Sequence, residues 1–302
     1  MEYFKNRKIA KLLKKAAKQG VYSAIDTYNK ILEINPDLPA VYNYIGLCYF
    51  ELTDYEKAKK YFHDAIEKFT EDFKSQYEVY YNLAFSYHSL DEAEQAEKYY
   101  KMSMNLNKDY KFVYKNYGYL LFNLKRYKEA LDMFEKYNSF GEEAEVFNNI
   151  GIIYEELNDN DKAIEYYEKA IKIDDKYALA YNNLGALYMS LKNYKKAAEL
   201  FDSAIKHDVS LTDAYNNLAT VFTIDEKYNA ALALYEKALK INPRNIIILI
   251  NKAKLHMKLN DLTNVVNTLK NVLKYGYSID KIIKIEEFKN IDNLENLLTE
   301  GE

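Results

Sequence analysis

The sequence predicts an all-α repeat array of about eight helix-turn-helix units, each 34 residues long, with a helical cap at its C-terminal end. Three observations predict it. An Ala that precedes a ring by four residues returns at Ala24/Tyr28, Ala58/Phe62, Ala96/Tyr100, Ala130/Phe134, Ala163/Tyr167, Ala197/Phe201 and Ala231/Tyr235, with spacings of 34, 38, 34, 33, 34 and 34 between the alanines. Upstream of all but the first lies a second apolar set in steps of three, one and three, which keeps its members on one helical stripe. Only 8 Gly and 3 Pro in 302 residues leave little material for β-turns. Self-similarity at a fixed period of this size marks units that bury their apolar faces against each other.

Residues 1–38 form a degenerate first unit. Its stretch KNRKIAKLLKKAAKQG places Lys8, Lys11 and Lys15 where later units carry aromatic and small residues. A solvated end explains this, because the outermost unit of an array needs a polar outer face. Residues 39–245 carry six well-matched units, whose first helices show Tyr42, Ile45, Gly46 and Tyr49; Tyr80, Leu83, Ala84 and Tyr87; Tyr114, Tyr117, Gly118 and Leu121; Phe147, Ile150, Gly151 and Tyr154; Tyr181, Leu184, Gly185 and Tyr188; Tyr215, Leu218, Ala219 and Phe222. Links as short as LNDND and LKN force the two helices of a unit to run antiparallel. The Gly or Ala sits where two helix axes approach closely; a mid-helix Gly costs about 1 kcal/mol against Ala, which packing has to offset. Pro36 and Pro243 follow second helices, where a residue without an N–H stops them. The 38-residue spacing marks an insertion near Phe73 to Gln76, and the 33-residue spacing a deletion near Phe140. Residues 246–279 form another degenerate unit, with Val265 and Leu269 at the anchor places. The segment 280–302 reads as two short capping helices, apolar at Ile282, Ile283, Ile285 and Phe288, then at Leu294, Leu297 and Leu298. The rival reading of this tail is a docking helix for another subunit.

Composition narrows the function. Net charge is −4, from 42 Lys plus Arg against 46 Asp plus Glu spread evenly, so no basic field exists for nucleic acid or anionic lipid. The opening residues hold no signal-peptide core, and no run of about 18 apolar residues occurs, which predicts a cytoplasmic protein without a membrane partner. One cysteine, Cys48 in IGLCYF, excludes an internal disulfide and reads as a buried, inert thiol. The 32 Tyr and 14 Phe fall mostly at fixed intervals, which points to packing before ligand stacking.

Catalysis needs groups that the fold brings together. His63, His88, His207 and His256 fall in four different units with no Cys or carboxylate at ligand spacing, so no metal and no cofactor is expected. There is no Gly-rich phosphate loop, and pairs such as Glu142 with Glu143 or Glu155 with Glu156 lie on solvated segments. The expectation is a protein that is not an enzyme.

The repeat resembles the tetratricopeptide repeat family over about residues 5 to 279, most clearly over residues 39 to 245. The resemblance implies a right-handed superhelical solenoid in which each unit's first helix lines a concave groove. That family also includes clamps for the C-terminal carboxylate of heat-shock chaperones, built from Lys and Asn at set places in three successive units. Lys115 matches one place, but Tyr119, Leu179 and Asn183 stand where the others are needed, which disfavours that role.

One feature is left over from packing. With the leading aromatic of each unit at its fourth position, the sixth reads Tyr44, Asn82, Asn116, Asn149, Asn183, Asn217 and Asn251, six asparagines in succession in a chain with 30 Asn in 302 residues. Asn loses about 0.5 kcal/mol against Ala in a helix, so something must hold the series there. A carboxamide is a neutral side chain that both donates to a peptide carbonyl and accepts from a peptide N–H. Helices about 8 to 10 Å apart and a strand rise of about 3.3 Å would let one Asn meet an extended peptide at about every third residue. The same use is implied by similarity to the repeat region of O-GlcNAc transferase, whose groove asparagines hold extended peptides; no transferase domain follows here. The alternative for the series is that it bridges adjacent repeats or follows the repeat's own duplication; additional Asn at the fifth position, Asn43, Asn148, Asn182 and Asn216, strengthens both readings, because duplication would copy it too.

The face is expected to be aromatic toward the N-terminus, with Tyr44, Leu47, Phe50, Tyr81, Phe85, Phe112, Tyr119 and Phe122. Further on it turns acidic or small at Glu145, Glu155, Glu156, Ala186, Ser190 and Asp213, and then basic at Lys254 and Lys258. The expected peptide-binding residues are thus Asn82, Asn116, Asn149, Asn183, Asn217, Asn251, Tyr44, Phe85, Tyr119 and Phe122. The sequence points to a scaffold for a protein or peptide partner. The alternatives are a structural solenoid that self-associates into a homo-oligomer, and an accessory subunit of an enzyme in another chain.

Overall fold

The 34-residue pattern folds as successive helix pairs. The structure, a computed structural model, describes residues 2–289 and 291–299, which hold 18 α-helices, one 3-10 turn and no strand. Two compact units divide the chain, Met1–Glu142 and Glu143–Glu302. The first contains α1 (Glu2–Ala16), α2 (Val21–Leu32), α3 (Pro39–Glu51), α4 (Tyr55–Glu67), α5 (Gln76–Ser89), α6 (Ala93–Leu106), α7 (Lys111–Asn123) and α8 (Tyr127–Asn138). The second contains α9 (Ala144–Glu156), α10 (Asn160–Ile173), α11 (Ala178–Ser190), α12 (Tyr194–His207), α13 (Thr212–Ile224), α14 (Tyr228–Ile241), α15 (Ile246–Lys258) and α16 (Leu262–Lys274), followed by α17 (Ile279–Ile282), the 3-10 turn Glu286–Phe288 and α18 (Leu294–Thr299). Within each unit an odd-numbered helix packs on the even-numbered helix that follows it, and that helix packs on the next odd one.

All of the pairs but α1–α2 are closed by the same turn. In these seven the first residue beyond the first helix's cap is left-handed without being glycine: Thr53, Asp91, Lys125, Asn158, Lys192, Glu226 and Asn260, with φ between 55° and 61°. At the first of these turns the Thr53 N–H donates to the Phe50 carbonyl and the Asp54 N–H to the Tyr49 carbonyl, both at 2.9 Å, so two otherwise orphaned carbonyls are satisfied. Asp54 then starts the next helix, its carboxylate accepting from the Lys57 N–H at 3.2 Å. Asp159, Asn193 and Asp261 cap their helices in the same way. One residue thus ends a helix and begins its partner, which is why the link can be so short.

Between the helices of a pair, the ring of the second meets a missing side chain on the first. A Cβ added to Gly46 would lie 2.5 Å from the Phe62 ring, and at Gly118, Gly151 and Gly185 it would lie 2.7, 2.6 and 2.8 Å from Phe134, Tyr167 and Phe201. All four rings are fully buried, as are the Ala residues four places before them. Ala84 and Ala219 take the equivalent place elsewhere and are themselves fully buried.

The tyrosine excess has a second use between the two helices of three pairs. Tyr49 stacks on Tyr61, Tyr87 on Tyr99 and Tyr154 on Tyr166, with centroids 5.3 to 5.5 Å apart and interplanar angles of 4° to 19°. Lys57, Lys59 and Lys162 lie about 5 Å from the centroids of Tyr49, Tyr87 and Tyr154, so each stack is lidded by a cation. The insertion foreseen near Phe73 lengthens the α4–α5 link to residues 68–75, and Phe69 fills it by packing on Phe73 and Tyr80.

At the start of the first unit, Lys8, Lys11 and Lys15 are exposed while Ile9 and Ala16 pack into a core with Ala24, Tyr28 and Ile31. After Gly276 the tail forms three short pieces rather than two helices. They bury Ile282, Phe288, Leu294 and Leu298 against Leu249, Val265, Leu269 and Val272, so these apolar residues are occupied within the chain. Residue 1 of the expected 1–38 unit and residues 290 and 300–302 of the expected 280–302 cap lie outside the described residues. Cys48 is half-buried rather than buried, and desolvation pushes its thiol pKa up.

Two measurements follow from this packing. The left-handed form costs a non-glycine residue roughly 1–2 kcal/mol, part of which a glycine gives back in chain entropy. Lys192→Gly and Glu226→Gly, at exposed turn positions, should each stabilise the fold by about 0.5–1 kcal/mol, read as a higher urea midpoint. In the first unit, the Arg126 guanidinium from the start of α8 holds the Glu97 carboxyl of α6 down at about 2, with help from Lys101 and Tyr117. Because the folded pKa is depressed, the stabilisation is present above the ordinary carboxylate range and is lost as pH falls toward about 2. Glu97→Gln should therefore lower stability by about 1–2 kcal/mol at neutral pH, with the gap to the parent closing under acid; hydrogen exchange in α6 and α8 reads it.

Candidate functional site

The first helices of successive pairs stand side by side in each unit, α3, α5 and α7 in one and α9, α11, α13 and α15 in the other. On this row the asparagines lock into one another. In the second unit Asn183 Nδ2 donates to Asn148 Oδ1 at 2.9 Å, Asn217 Nδ2 to Asn182 Oδ1 at 3.0 Å and Asn251 Nδ2 to Asn216 Oδ1 at 2.9 Å. Each bond joins the sixth position of one helix to the fifth position of the helix before it. Within a doublet, Asn182 Nδ2 and Asn216 Nδ2 reach the Oδ1 atoms of Asn183 and Asn217 at 3.5 Å. Six carboxamides, Asn251, Asn216, Asn217, Asn182, Asn183 and Asn148, therefore form one head-to-tail series in which each of the three inter-helix bonds is donated from the later helix to the earlier one.

In the first unit Asn82 Nδ2 donates to Asn43 Oδ1 at 3.0 Å, and Asn116 Nδ2 donates to the Tyr81 hydroxyl, the ring that replaces the fifth-position Asn there. Asn149 also has a polar partner. The fifth-position residues Asn43, Asn148 and Asn182 are buried, so each needs its bond; an unmatched amide there costs about 1–3 kcal/mol. The sixth-position residues Asn82, Asn116, Asn149, Asn183, Asn217 and Asn251 are half-buried and keep contact with solvent. A carboxamide has two N–H groups and two lone pairs. The bonds above use one N–H and one lone pair of Asn183 and Asn217, leaving the others.

Sequence reasoning placed the sixth-position series on this face but did not assign its partners. The signal was the doublet FNN, YNN, YNN at 147–149, 181–183 and 215–217, with 35 residues separating each donor from its acceptor.

The aromatic residues divide by exposure. Tyr44 is exposed and stacks on the buried Tyr28 at 5.5 Å. Phe85 is half-buried between Phe50 at 4.9 Å and Tyr81 at 6.2 Å. Tyr119 meets the buried Phe134 edge-on at 5.3 Å, and Phe122 leans on Tyr127 at 6.1 Å, both half-buried. Leu47 and Phe112 are exposed beside them. These side chains brace the helix pairs with one edge and meet water with the other.

Glu155 of α9, half-buried, accepts from the Tyr167 hydroxyl, and desolvation raises its pKa. The next helices leave Asp213 exposed. At the α13–α15 end a concavity of about 450 Å³ opens beside Asn251, floored by Ile224, Leu255 and Met257 and edged by Lys254, Lys258 and Glu287. His63 and His88 hydrogen-bond to Tyr87 and Tyr100, and His256 packs 3.3 Å from the Asp261 carboxylate. Among the described residues no helix is long and apolar enough to cross a membrane.

Sequence profiles of the tetratricopeptide repeat match residues 37–109, 144–177, 176–244 and 223–277. A 166-residue stretch is 28% identical to the CTR9 homolog of Arabidopsis thaliana, over 53% of this chain and 15% of that protein. Another 160 residues are 26% identical to the TPR repeat-containing protein MJ1428 of Methanocaldococcus jannaschii, over 50% of this chain and 28% of that one. The chain thus spans less than a third of the length of the curated relatives it matches. The crystal structure of a tetratricopeptide repeat protein from Parabacteroides merdae has the same fold, with a TM-score of 0.63 over 87% of this chain and 97% of that one at 17% identity. The recurring helix pair, its ring set against a Gly or Ala, and the profile matches agree: this chain belongs to the tetratricopeptide repeat family.

Proposed function

We infer that the chain is a non-catalytic scaffold for protein–protein interaction, binding an extended segment of a partner along the row of first helices. The observation that carries this reading is the half-exposed asparagine series. Asn183 and Asn217 are held by bonds to their neighbours that use one N–H and one lone pair of each, and both side chains are only half-buried, with the second N–H and lone pair outside those bonds. Groups oriented before the ligand arrives cost less to order when it binds. A peptide backbone offers the complementary carbonyl and N–H, while Tyr44, Leu47, Phe85 and Phe112 in the first unit provide apolar surface for side chains. A few net hydrogen bonds of about 0.5–1.5 kcal/mol each, less the ordering cost of the strand, correspond to roughly micromolar affinity.

The inter-repeat bonds favour a second reading, in which the series serves only to fix each helix pair on the one before it. Asn183→Ala leaves the buried Asn148 Oδ1 without its donor and should destabilise the fold by about 1–3 kcal/mol under either reading. Affinity separates them. A partner captured from native cell extract and reduced to its binding peptide is titrated against the triple variant Asn149→Ala, Asn183→Ala and Asn217→Ala, at a temperature where circular dichroism shows full helicity. Binding should weaken at least about tenfold, equivalent to about 1.4 kcal/mol. Unchanged affinity would leave the stacking role alone.

A further inference from the structure

The geometry points to the concavity between α13 and α15 as a socket for an acidic side chain, Asp or Glu, flanked by an apolar residue in the partner's extended segment. This deepens the peptide-binding reading, and rests on it, by naming the residue class selected at this end of the row.

Its donors and acceptors carry the assignment. Lys254 and Lys258 lie four residues apart on α15 and so project from one face of that helix. Among the lining residues they are opposed by a single carboxylate, Glu287, whose Oε1 lies 2.9 Å from Lys254 Nζ. Lys258 is exposed and has no acidic partner among the described residues. Asn251 has given one N–H to Asn216 and has no donor of its own on Oδ1, because the fifth position of α15 is Ile250. Thr220 and Thr223 spend their hydroxyl protons on the Asn216 and Ala219 carbonyls of their own helix, at 2.9 and 2.8 Å, which leaves their lone pairs as acceptors; one of those on Thr220 faces the Tyr235 hydroxyl at 3.5 Å. The wall is therefore cationic at one side and accepting at the other, over an apolar floor.

A carboxylate beside a peptide N–H satisfies both sides at once, and an adjoining Leu or Ile side chain covers the floor. A basic side chain would meet two lysines, and a neutral one would leave Lys258 unmatched. Glu287 already shows the chemistry, since its carboxylate reaches Lys254 from the tail and is held below its usual range by that contact. It occupies one of the two lysines and so competes with the incoming acid.

The test uses the full chain with 13C-methyl-labelled methionine and two capped pentapeptides, one with a central Glu between leucines and one with Gln in its place. Met257 lines the socket and should shift with the Glu peptide, while Met102, Met133 and Met189, on other helices, stay still. Lys258→Gln, a change at an exposed position that leaves the fold intact, should weaken binding about fivefold, and Glu287→Gln should tighten it about threefold by freeing Lys254. Equal binding of the Gln peptide, indifference to Lys258→Gln, or shifts at Met102 or Met133 instead of Met257 would overturn the socket. Asn149→Ala lies in α9, away from this cavity, and should leave the Met257 response unaltered. Loss of the Glu-peptide response while partner capture still depends on the asparagines removes only the socket; loss of asparagine dependence with the Met257 response intact removes only the extended path.

Discussion

Everything in this fold depends on one contact, a ring of the second helix seated on a glycine or alanine of the first. Phe62 on Gly46, Phe134 on Gly118, Tyr167 on Gly151 and Phe201 on Gly185 leave no room for an added carbon without displacing a buried ring. The approach fixes the separation of the helices within a pair. It also fixes the angle at which the next first helix can be laid down, and hence the distance a side chain at the fifth position must cross to meet one at the sixth. The asparagine bonds near 3 Å in the second unit are a product of that spacing. A repeat whose helices stood farther apart would break them.

Much of this was legible in the residues themselves. The Ala and aromatic anchors announced the period, and burial of every one of them follows from stripes that no other arrangement could hide. The series of carboxamides on the first helices was visible as well, because Asn has no business in the middle of a helix without a partner. Other features left no such mark. Four of the left-handed turns are taken by Thr53, Lys125, Lys192 and Glu226, residue types that disfavour this conformation, since closing the short link outweighs the local cost and no glycine stands there. The bonds between doublets needed the neighbouring helix in place before a distance of 35 residues could be seen as a contact. The tail's division into three pieces reflects its packing onto α15 and α16 more than any periodicity of its own.

The same side chains that hold the stack also form its candidate ligand surface. Asn183 cannot be altered for binding alone, because the buried Asn148 depends on it. On the proposed function, affinity and stability are therefore coupled along the row, and specificity would vary at positions outside it, such as the exposed Tyr44, Leu47 and Phe112 or the lysines of α15. A scaffold of this kind can keep its stacking core while its exposed positions diverge.

The three amide bonds that cross between helices from Asn251 to Asn148 all run the same way, donor on the later helix and acceptor on the earlier. Amide dipoles set in file add instead of cancelling, and a chain of hydrogen bonds polarises each member further. The surface consequently has a north and a south. A peptide laid N-to-C along it, as the proposed function has it, and the same peptide reversed would not meet the same field, so such a row would distinguish the heading of a chain before any side chain has been consulted.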